Sequence, residues 1–222
     1  MPSTPTRQRR FDLIVFDWDG TLFDSTALIA RCIQSAAADL GLPVPSDEAA
    51  SHVIGLGLTE ALQHAVPSLP AARYPELGER YRHHYFNRQH ELVLFPGTLD
   101  MLHALKACNH LLAVATGKSR RGLDEALHTV QLQGLFDATR TADETAGKPH
   151  PRMLLELMAE LGVAPGRTLM VGDTTHDLQL ARNAGTASVG VSFGAHAPGS
   201  FTALGPLHVA HTTADLGRWL LA

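Results

Sequence analysis

Two aspartates separated by one residue follow the first apolar run of the sequence. The run Leu13–Phe16 is continuously apolar, and Asp17 and Asp19 come directly after it with Trp18 between them. Such a run is typical of a strand that is buried on both faces of a parallel sheet. Ligands of open parallel sheets bind beyond the carboxyl ends of the strands. The sequence therefore places two carboxylates at an edge where a ligand is expected.

Further polar residues follow other apolar runs or precede helices in the same way. Thr116 follows "LLAVA", Lys148 lies in "GKPHP" just before a helical pattern, and Asp173 follows "TLMV" with Asp177 four residues later. Each residue alone has a plain explanation as a strand end, a surface lysine or a turn. Together they place acids, a hydroxyl and a lysine around one edge of the predicted sheet.

The elements that would position these residues alternate between strands and helices. Strands are predicted at the following runs: Leu13–Phe16, Leu111–Ala115, Leu135–Ala138, Thr168–Val171, Ala187–Val191 and Leu207–Ala210. Helical patterns separate them, with a cap at Ser119, a first-turn Pro151, and stops at Gly162 and Gly185. This alternation predicts an α/β fold, a doubly wound parallel sheet with helices on both faces.

One stretch, from Asp24 to Leu94, breaks the alternation because it contains helical patterns and no convincing strand. We therefore predict a helical insertion after the first strand. The predicted organisation is a disordered tail over residues 1–10, a core over 11–23 and 95–222, and an α-helical cap domain over 24–94.

Four motifs, in this order, resemble those of the haloacid dehalogenase-like hydrolases. They are "DWDGTLFDS", the Thr116 of "VATGKS", the Lys148 of "GKPHP", and "GDTTHDL". The resemblance covers nearly the whole chain after the tail. It is to the phosphatase branch that carries a helical cap on a Rossmann-like core and includes phosphoglycolate phosphatase.

The resemblance implies a Mg²⁺-dependent phosphatase that acts on a small phosphorylated metabolite, with 2-phosphoglycolate as one candidate. Asp17 would be the nucleophile and would form an aspartyl-phosphate. Asp19 would protonate the leaving oxygen and then deprotonate the attacking water. Mg²⁺ would be held by the Asp17 carboxylate, the Asp19 backbone carbonyl and Asp173, because this ion prefers hard oxygen ligands. Asp177 would hold a metal-bound water or orient Lys148.

The resemblance also implies residues that bind the substrate. Thr116 and Lys148 would bind phosphoryl oxygens and stabilise the charge of the transition state. The remaining predicted substrate-binding residues are Gly20 and Thr21 in the turn after the first strand, Gly117 beside Thr116, and Thr59 in the cap segment "GLGLTEAL".

Other functions stay open at this stage. Within the family they are pyrophosphate hydrolysis, a sugar-phosphate mutase reaction, and dehalogenation. The cap segment lacks the arginine expected in the related β-phosphoglucomutases, which counts against a mutase. Dehalogenation is disfavoured because Asp19 would have no role in displacing a halide. A non-catalytic phosphate-sensing domain, similar to a receiver, would need neither the cap nor Asp19.

Composition excludes several kinds of partner. The chain has 222 residues, a net charge of −4 and a pI near 6.3, which is not the charge expected for binding nucleic acid or an anionic membrane. No apolar stretch approaches a membrane span, and no signal peptide is predicted, so we expect a cytoplasmic protein. Cys32 and Cys108 are predicted to be small buried thiols without a disulfide. The oligomeric state is left open.

The histidines and the tryptophan of the first motif are interpreted as structural or surface residues without a role in the chemistry. His83, His84 and His90 lack a zinc-ligand spacing and are predicted to lie on a solvated helix face. His176, inside the fourth motif, is expected near the metal but at the surface. Trp18 is expected to point away from the phosphate, because side chains alternate along a strand.

Overall fold

The computed structural model describes residues 9–222 of the chain. Its strands are β1 (Leu13–Phe16), β2 (Leu111–Thr116), β3 (Ala138–Thr141), β4 (Thr168–Gly172), β5 (Ala187–Val191) and β6 (Val209–Ala210). They form one parallel sheet in the order β3-β2-β1-β4-β5-β6. Strand β1 is central, and its Phe16 pairs with Val114 of β2 and Val171 of β4. The residues that follow these three positions therefore meet at one edge of the sheet.

Nine α-helices lie within the described residues. They are α1 (Thr26–Asp39), α2 (Asp47–His52), α3 (Leu58–Ala65), α4 (Tyr74–Arg88), α5 (Thr98–Ala107), α6 (Arg120–Thr129), α7 (Arg152–Leu161), α8 (Thr175–Ala184) and α9 (Thr213–Leu221). Short 3₁₀ turns occur at Ala71–Arg73, Gln89–Glu91, Pro165–Arg167 and Pro198–Leu204. Within residues 9–222, none of the helices combines the length and apolarity that a membrane crossing needs.

Side chains of β1 alternate between two separate apolar cores. Ile14 and Phe16 pack on one face with apolar residues of α5, α6 and α9. Leu13 and Val15 pack on the other face with residues of α7 and α8. Burying an apolar side chain of this size stabilises the fold by about 1.5–3 kcal/mol. Burial on both faces explains why the strand reads as one continuous apolar run.

The cap consists of α1 to α4, which follow β1 and precede α5. Within it, α1 and α3 both pack against α4. The two chain segments that join the cap to the sheet lie side by side: Phe23 forms an antiparallel bridge with Leu94, and the Asp24 N–H donates to the Val93 carbonyl at 2.9 Å. The predicted fold class, a doubly wound parallel sheet with an inserted helical cap, is confirmed, whereas the residue boundaries of the two parts stay a prediction.

The predicted helix ends match the structure. The Ser119 hydroxyl accepts a hydrogen bond from the Gly122 N–H at the start of α6. Pro151 immediately precedes α7, and α7 and α8 end at Gly162 and Gly185, both in the left-handed conformation. Local capping signals in the sequence were thus sufficient to place these helices.

Two predicted strands differ from the structure. The run Leu135–Ala138 was expected to be a strand, but β3 begins only at Ala138, while Leu135 and Phe136 pack against the core just ahead of it. The last strand was expected from Leu207, which is exposed, and β6 begins two residues later. Both are edge strands, where apolar content marks packing but not the start of backbone pairing.

The two cysteines lie in different environments. Cys32 is buried in α1, as predicted, but Cys108 is exposed, which corrects the prediction of two buried thiols. Cys108 is the C-cap of α5, where the helix ends at the surface. Both cysteines are free.

The predicted disordered tail lies mostly outside the described residues, which begin at residue 9. The last two residues of that segment contact the core. The Arg9 guanidinium donates to the backbone carbonyls of Cys108 and Asn109. The Arg10 guanidinium lies 5.3 Å from the centroid of the Phe11 ring. These two residues are therefore attached to the folded part of the chain.

Candidate active site

Five of the predicted site residues are buried at the carboxyl edge of the sheet. Asp17 follows β1, Thr116 ends β2, and Asp173 follows β4. Asp177 lies in the first turn of α8, and Lys148 lies in the loop that leads to α7. Each of these five residues is at most 1% exposed to solvent. The structure therefore brings together residues that are up to 160 positions apart in the sequence.

Lys148 bridges two of the buried carboxylates. Its Nζ lies 2.7 Å from Asp17 Oδ1 and 2.7 Å from Asp177 Oδ1. Oxygens of Asp17, Asp173 and Asp177 all lie within 4.8 Å of one another. One ammonium cannot neutralise three carboxylates, so the cluster is short of positive charge.

This shortage shifts the pKa values of the cluster. Burial raises the pKa of Asp17 well above its usual value, and the neighbouring Asp177 and Asp173 carboxylates add to this, while Lys148 opposes it. Burial likewise raises the pKa of Asp173, to about 7, together with the Asp177 charge. Burial disfavours the ammonium form of Lys148, but the Asp17 and Asp177 carboxylates outweigh it and raise the pKa of that lysine.

Asp173 is held in place by two donors. The Thr21 hydroxyl donates to its Oδ1 at 2.8 Å, and the Ala195 N–H donates to its Oδ2 at 2.7 Å. Gly20, with a φ of 79°, lies so close that a Cβ on it would be 2.2 Å from Asp173 Oδ2. Only glycine fits this position. The predicted turn residues Gly20 and Thr21 thus contact the third carboxylate of the cluster.

The cluster fits a divalent cation with hard oxygen ligands. Asp17 Oδ2 is buried and has no hydrogen-bond partner among residues 9–222. A bound Mg²⁺ would use such an oxygen and would supply the missing positive charge. Asp173 offers a second carboxylate. Asp177 is already engaged, because its Oδ1 contacts Lys148 and its Oδ2 accepts from the Thr174 N–H and hydroxyl. Because both Asp177 oxygens already have partners, Asp177 is better suited to orient Lys148 or hold a metal-bound water, as predicted, than to bind the metal directly.

Asp19 lies on the cap side of the same edge. Its Oδ1 accepts a hydrogen bond from the Ser25 hydroxyl at 2.6 Å and lies 3.1 Å from Lys118 Nζ. Lys118 Nζ also donates to the Tyr85 hydroxyl of α4 at 2.9 Å. Burial disfavours the charged form of Lys118, but Asp19 and Tyr85 outweigh it, so the pKa of the lysine is raised. The two aspartates of the first motif therefore face different groups.

A cavity of about 480 Å³ separates the cap from the core at this point. Its lining includes Asp19 and Lys118 but none of the buried cluster around Asp17. Most of its cap wall is apolar, with side chains from Ile29, Ile33, Leu56, Leu58, Tyr81 and Phe86. Thr59, predicted to bind substrate, is an exposed residue of this wall.

The cap touches the core beside this cavity. A Cβ on Gly117 would be 2.4 Å from the Leu56 carbonyl oxygen and 2.6 Å from that of Gly55. Nearby, His176 Nε2 and His196 Nε2 each donate to the His52 carbonyl at 3.0 Å. Gly117, predicted to bind substrate, therefore also permits the close approach of the cap backbone.

The histidines and Trp18 take the following positions. His176 is half-buried and faces α2 of the cap, not the open surface that was expected. His83 and His90 are exposed and His84 pairs with an aspartate of α1, which agrees with a solvated helix face. Trp18 is fully buried against aromatic rings of the core, as expected.

Four contributors to the site were not predicted. They are Lys118, Ser25, Thr174 and the Ala195 N–H. The first three stand inside or directly beside the motifs, in "VATGKS", "DWDGTLFDS" and "GDTTHDL", so their position was a usable signal. The Ala195 N–H carries no sequence signal, because any residue except proline supplies a backbone donor.

Comparison with known proteins decides the family. The family profile described as haloacid dehalogenase-like hydrolase matches residues 14–191. The chain belongs to this family. Among its curated relatives, the "Phosphoglycolate phosphatase" of Aliivibrio fischeri is 35% identical over 82% of this chain and 84% of its own length. The "Probable phosphatase IndB" of Dickeya dadantii is 34% identical over 92% of this chain and 91% of its own length.

A solved structure supports the same assignment. The crystal structure of a "predicted phosphoglycolate phosphatase" from Haemophilus somnus is 29% identical, has a TM-score of 0.86 and covers 96% of this chain and 99% of its own. This haloacid dehalogenase-like hydrolase is therefore an enzyme, a phosphoric monoester hydrolase of the phosphoglycolate phosphatase-like branch.

Proposed function

We propose that the chain is a Mg²⁺-dependent phosphatase that hydrolyses a small phosphate monoester through an aspartyl-phosphate, with 2-phosphoglycolate as the first candidate. The observation that carries this proposal is the division of labour between the two aspartates. Asp17 lies among buried carboxylates with Lys148 at 2.7 Å, whereas Asp19 lines the cavity on the cap side. A phosphoryl group placed between them has a nucleophile on one side and an acid on the other.

In the first step, an Asp17 carboxylate oxygen attacks phosphorus and forms the acyl-phosphate bond. The bond from phosphorus to the ester oxygen breaks, and that oxygen takes a proton from Asp19 as it leaves. The alcohol then departs into the cavity that Asp19 lines.

In the second step, water attacks phosphorus and transfers a proton to Asp19, which restores its acid form. The bond between phosphorus and the Asp17 oxygen breaks, so inorganic phosphate and the free carboxylate are released. Asp19 is suited to serve in both steps because the Ser25 hydroxyl, at 2.6 Å, fixes its position at the boundary between cluster and cavity.

The residues that would hold Mg²⁺ are Asp17, Asp173 and the backbone carbonyl of Asp19. When bound, the ion supplies positive charge that offsets repulsion between the anionic nucleophile and the anionic phosphate. Lys148 contributes a fixed positive charge beside Asp17. Asp177 positions Lys148 through a contact of 2.7 Å.

Thr116 is placed to bind a phosphoryl oxygen. Its Oγ1 accepts a hydrogen bond from the Lys118 N–H at 3.1 Å, and within residues 9–222 its own hydroxyl proton has no acceptor. That proton is therefore left for the substrate. Backbone N–H groups of Gly20, Thr21 and Gly117 are further candidate phosphoryl donors in the same turns.

The helical segment 24–94 acts as a lid in this proposal, and residues 11–23 and 95–222 act as the catalytic core. The cap backbone meets Gly117 closely enough to exclude water from one side of the site. The candidate substrate is supported by the names of the curated relatives, several of which are phosphoglycolate phosphatases.

The proposal is tested by hydrolysis of p-nitrophenyl phosphate with Mg²⁺ and with EDTA, in the wild-type chain and in Asp17→Asn. The amide is nearly isosteric with the carboxylate but is a poor nucleophile, so we expect turnover to fall by about 10³-fold or more. Circular dichroism checks that the variant stays folded. Activity of Asp17→Asn within tenfold of the wild type, or a rate that EDTA does not change, would contradict the proposal.

A panel of phosphorylated metabolites, ranked by kcat/KM, then identifies the substrate class. The panel includes pyrophosphate and hexose phosphates, because a pyrophosphatase or a mutase would show its preference there.

A further inference from the structure

Three histidines meet where the cap rests on the core, and none of them lines the cavity. His52 ends α2 of the cap, His176 lies in the first turn of α8, and His196 lies in the loop after β5. The ring of His52 stacks on that of His196 with 4.9 Å between centroids, and the His176 ring meets the His196 ring edge-on at 5.2 Å. The proposed chemistry gives this cluster no role, so its position calls for an explanation.

Both core histidines direct a hydrogen-bond donor at one atom of the cap backbone. Nε2 of His176 and Nε2 of His196 each lie 3.0 Å from the His52 carbonyl oxygen. A carbonyl can only accept, so both nitrogens must carry a proton. The last carbonyls of a helix have no partner within that helix, and here side chains of the core supply one. The end of α2 is therefore capped by the core.

His196 is fixed in the tautomer that this contact needs. Its Nδ1 accepts a hydrogen bond from the Thr175 N–H at 3.0 Å, and a backbone N–H can only donate. The proton of the neutral imidazole must then be on Nε2, the nitrogen that faces His52. His196 is also buried, with 7% of the residue exposed. An imidazole held at both nitrogens has little freedom to turn, so its donor stays aimed at the cap.

The segments that contact the cap here also adjoin the buried carboxylates. The Ala195 N–H donates to Asp173 Oδ2 at 2.7 Å, and the His196 N–H donates to the Asp173 carbonyl at 3.3 Å. On the other side, a Cβ on Gly55 of the cap would be 3.2 Å from Thr174 Oγ1, at the start of α8. The cap therefore rests on the loop and the helix start that border the sheet edge.

We propose that His176 and His196 are positioning residues that hold the cap closed over the sheet edge through the His52 carbonyl. This inference rests on the proposed role of the cap as a lid. Neither histidine needs to touch the substrate, because each acts through the cap backbone. Gly117 only permits the close approach of the cap, whereas the two imidazole donors attract it.

The alternative is that the histidines only fill the space between cap and core, with the stacked rings of His52 and His196 as the main contact. Packing depends on the size and shape of side chains. The proposal depends instead on a side-chain donor and a main-chain acceptor. Substitutions that change the donor but not the size, or the ring but not the carbonyl, separate the two explanations.

The first experiment compares His176→Met with His176→Gln. Both side chains are unbranched and similar in length, but only glutamine offers an N–H group. Hydrogen–deuterium exchange in peptides covering residues 50–57 measures how often this part of the cap leaves the core. We expect exchange to be about 3- to 10-fold faster in His176→Met, the effect of losing one hydrogen bond, and within about twofold of the wild type in His176→Gln. Peptides from α7 should exchange at the same rate in every variant.

The second experiment uses His52→Ala, which removes the stacked ring but keeps the carbonyl. Exchange in the same peptides should stay within about twofold of the wild type, because both donors retain their acceptor. His64→Met is the matched control, since His64 is an exposed histidine of α3 in the cap. It should exchange like the wild type.

Kinetics relates this contact to turnover. The kcat/KM for the best substrate of the panel should fall in His176→Met, by about 3- to 10-fold, and should be restored in His176→Gln. Faster exchange in His176→Met with an unchanged kcat/KM would overturn the positioning role. Exchange is measured without substrate, so failure of the proposed phosphatase function would not affect the test of cap closure.

Equal exchange in His176→Met and His176→Gln would overturn the proposal and support packing alone. A larger effect of His52→Ala than of His176→Met would do the same. Circular dichroism checks that each variant is folded. If His176→Met does not fold, His52→Ala decides, because packing predicts much faster exchange there and the proposal does not.

Discussion

The two regions on either side of Asp19 differ in how their polar groups are satisfied. At the sheet edge, the side chains of Asp17, Lys148, Asp173 and Asp177 are at most 1% exposed. Lys148 contacts Asp17 and Asp177, and oxygens of the three carboxylates lie within 4.8 Å of one another. Beneath the cap, a cavity of about 480 Å³ has a cap wall that is mostly apolar. We expect substitutions at the sheet edge to be poorly tolerated, because each buried charge there is compensated by a neighbouring charge of the cluster.

In the proposed mechanism, the reaction takes place at the sheet edge, and the cavity beneath the cap recognises the leaving group. A cluster of interdependent charges suits chemistry that is the same for every phosphate ester. An apolar cavity, whose walls can change one residue at a time, suits recognition of the alcohol that leaves. Four predictions test this division, beginning with the largest expected effect.

The largest effect is expected at the boundary itself, in Asp19→Asn. An asparagine cannot give a proton to the leaving oxygen, so kcat/KM for an alkyl phosphate should fall by about 10²- to 10⁴-fold. The loss on p-nitrophenyl phosphate should be much smaller, because its leaving group needs little protonation. Steady-state kinetics over a series of leaving groups measures this dependence.

Asp24→Asn is the matched control for that substitution, because Asp24 is an exposed acid five residues away. It should leave both rates within about twofold of the wild type, as surface substitutions usually do. Equal losses for alkyl and p-nitrophenyl esters in Asp19→Asn would argue against the acid–base role.

The next effect concerns the contact between the regions, at Gly117. An alanine there would place its Cβ 2.4 Å from the Leu56 carbonyl oxygen, so the cap cannot keep its position. Overpacking of this kind costs about 1–3 kcal/mol, which corresponds to a loss of about 5- to 150-fold in kcat/KM if catalysis needs the closed cap. The Mg²⁺ concentration for half-maximal rate should hardly change.

Gly166→Ala provides the comparison, since a Cβ at Gly166 would have no neighbour within 4 Å. It should leave the kinetics unchanged. A Gly117→Ala enzyme with normal kcat/KM would show that the cap contact seen here is not needed for turnover.

The third prediction concerns pH and metal at the sheet edge. Asp173 has a pKa of about 7 in the folded chain, above its ordinary value, so the folded state binds a proton that the unfolded state releases between these values. The free energy of unfolding in EDTA should therefore fall as pH rises from about 4 to about 7. Mg²⁺ competes with this proton, so the stabilisation by Mg²⁺ should grow over the same range.

Thermal unfolding at pH 5 and pH 8, with EDTA and with Mg²⁺, measures both trends as shifts of several degrees in Tm. Asp173→Asn, which removes the titrating group, should flatten the pH dependence. An equal Mg²⁺ shift in Tm at both pH values would contradict the assignment of this cluster as the metal site.

The smallest effect is expected in the cap wall, for the double variant Thr59→Val with Glu60→Gln. Both residues line the cavity, so binding energy from the leaving group should be lost there. We expect kcat/KM to fall several-fold more for the best substrate of the panel than for p-nitrophenyl phosphate. Gln63→Ala, an exposed position of the same helix, should affect both esters equally. Equal small losses in the double variant would mean that this segment merely begins a helix.

The sequence predicted site residues and helix ends best where a short local pattern is enough to place them. Asp17, Thr116 and Asp173 could be placed because each follows or ends an apolar strand, and parallel strands share one edge. Helix stops at Gly162 and Gly185 were readable because the backbone conformation there favours glycine. These features depend on a few neighbouring residues.

The missed features depend on contacts between distant segments. Lys118 lies only two residues after Thr116, yet its significance comes from Tyr85 in the cap and from the burial that the cap imposes. The Ala195 N–H reaches Asp173 through a loop whose path no local pattern specifies. The start of β3 depends on its pairing with β2 at the sheet edge, which apolar content does not encode.

The side-by-side linkers, where Phe23 bridges Leu94 and Asp24 bonds to Val93, have an evolutionary consequence. An inserted segment whose two ends are neighbours can be exchanged as one continuous piece of gene, because the host needs only that short gap to be closed again. Recombination at these two points would give the same catalytic edge a different set of substrates in a single event. Lineages of such enzymes should therefore diversify faster in what they hydrolyse than in how they hydrolyse it.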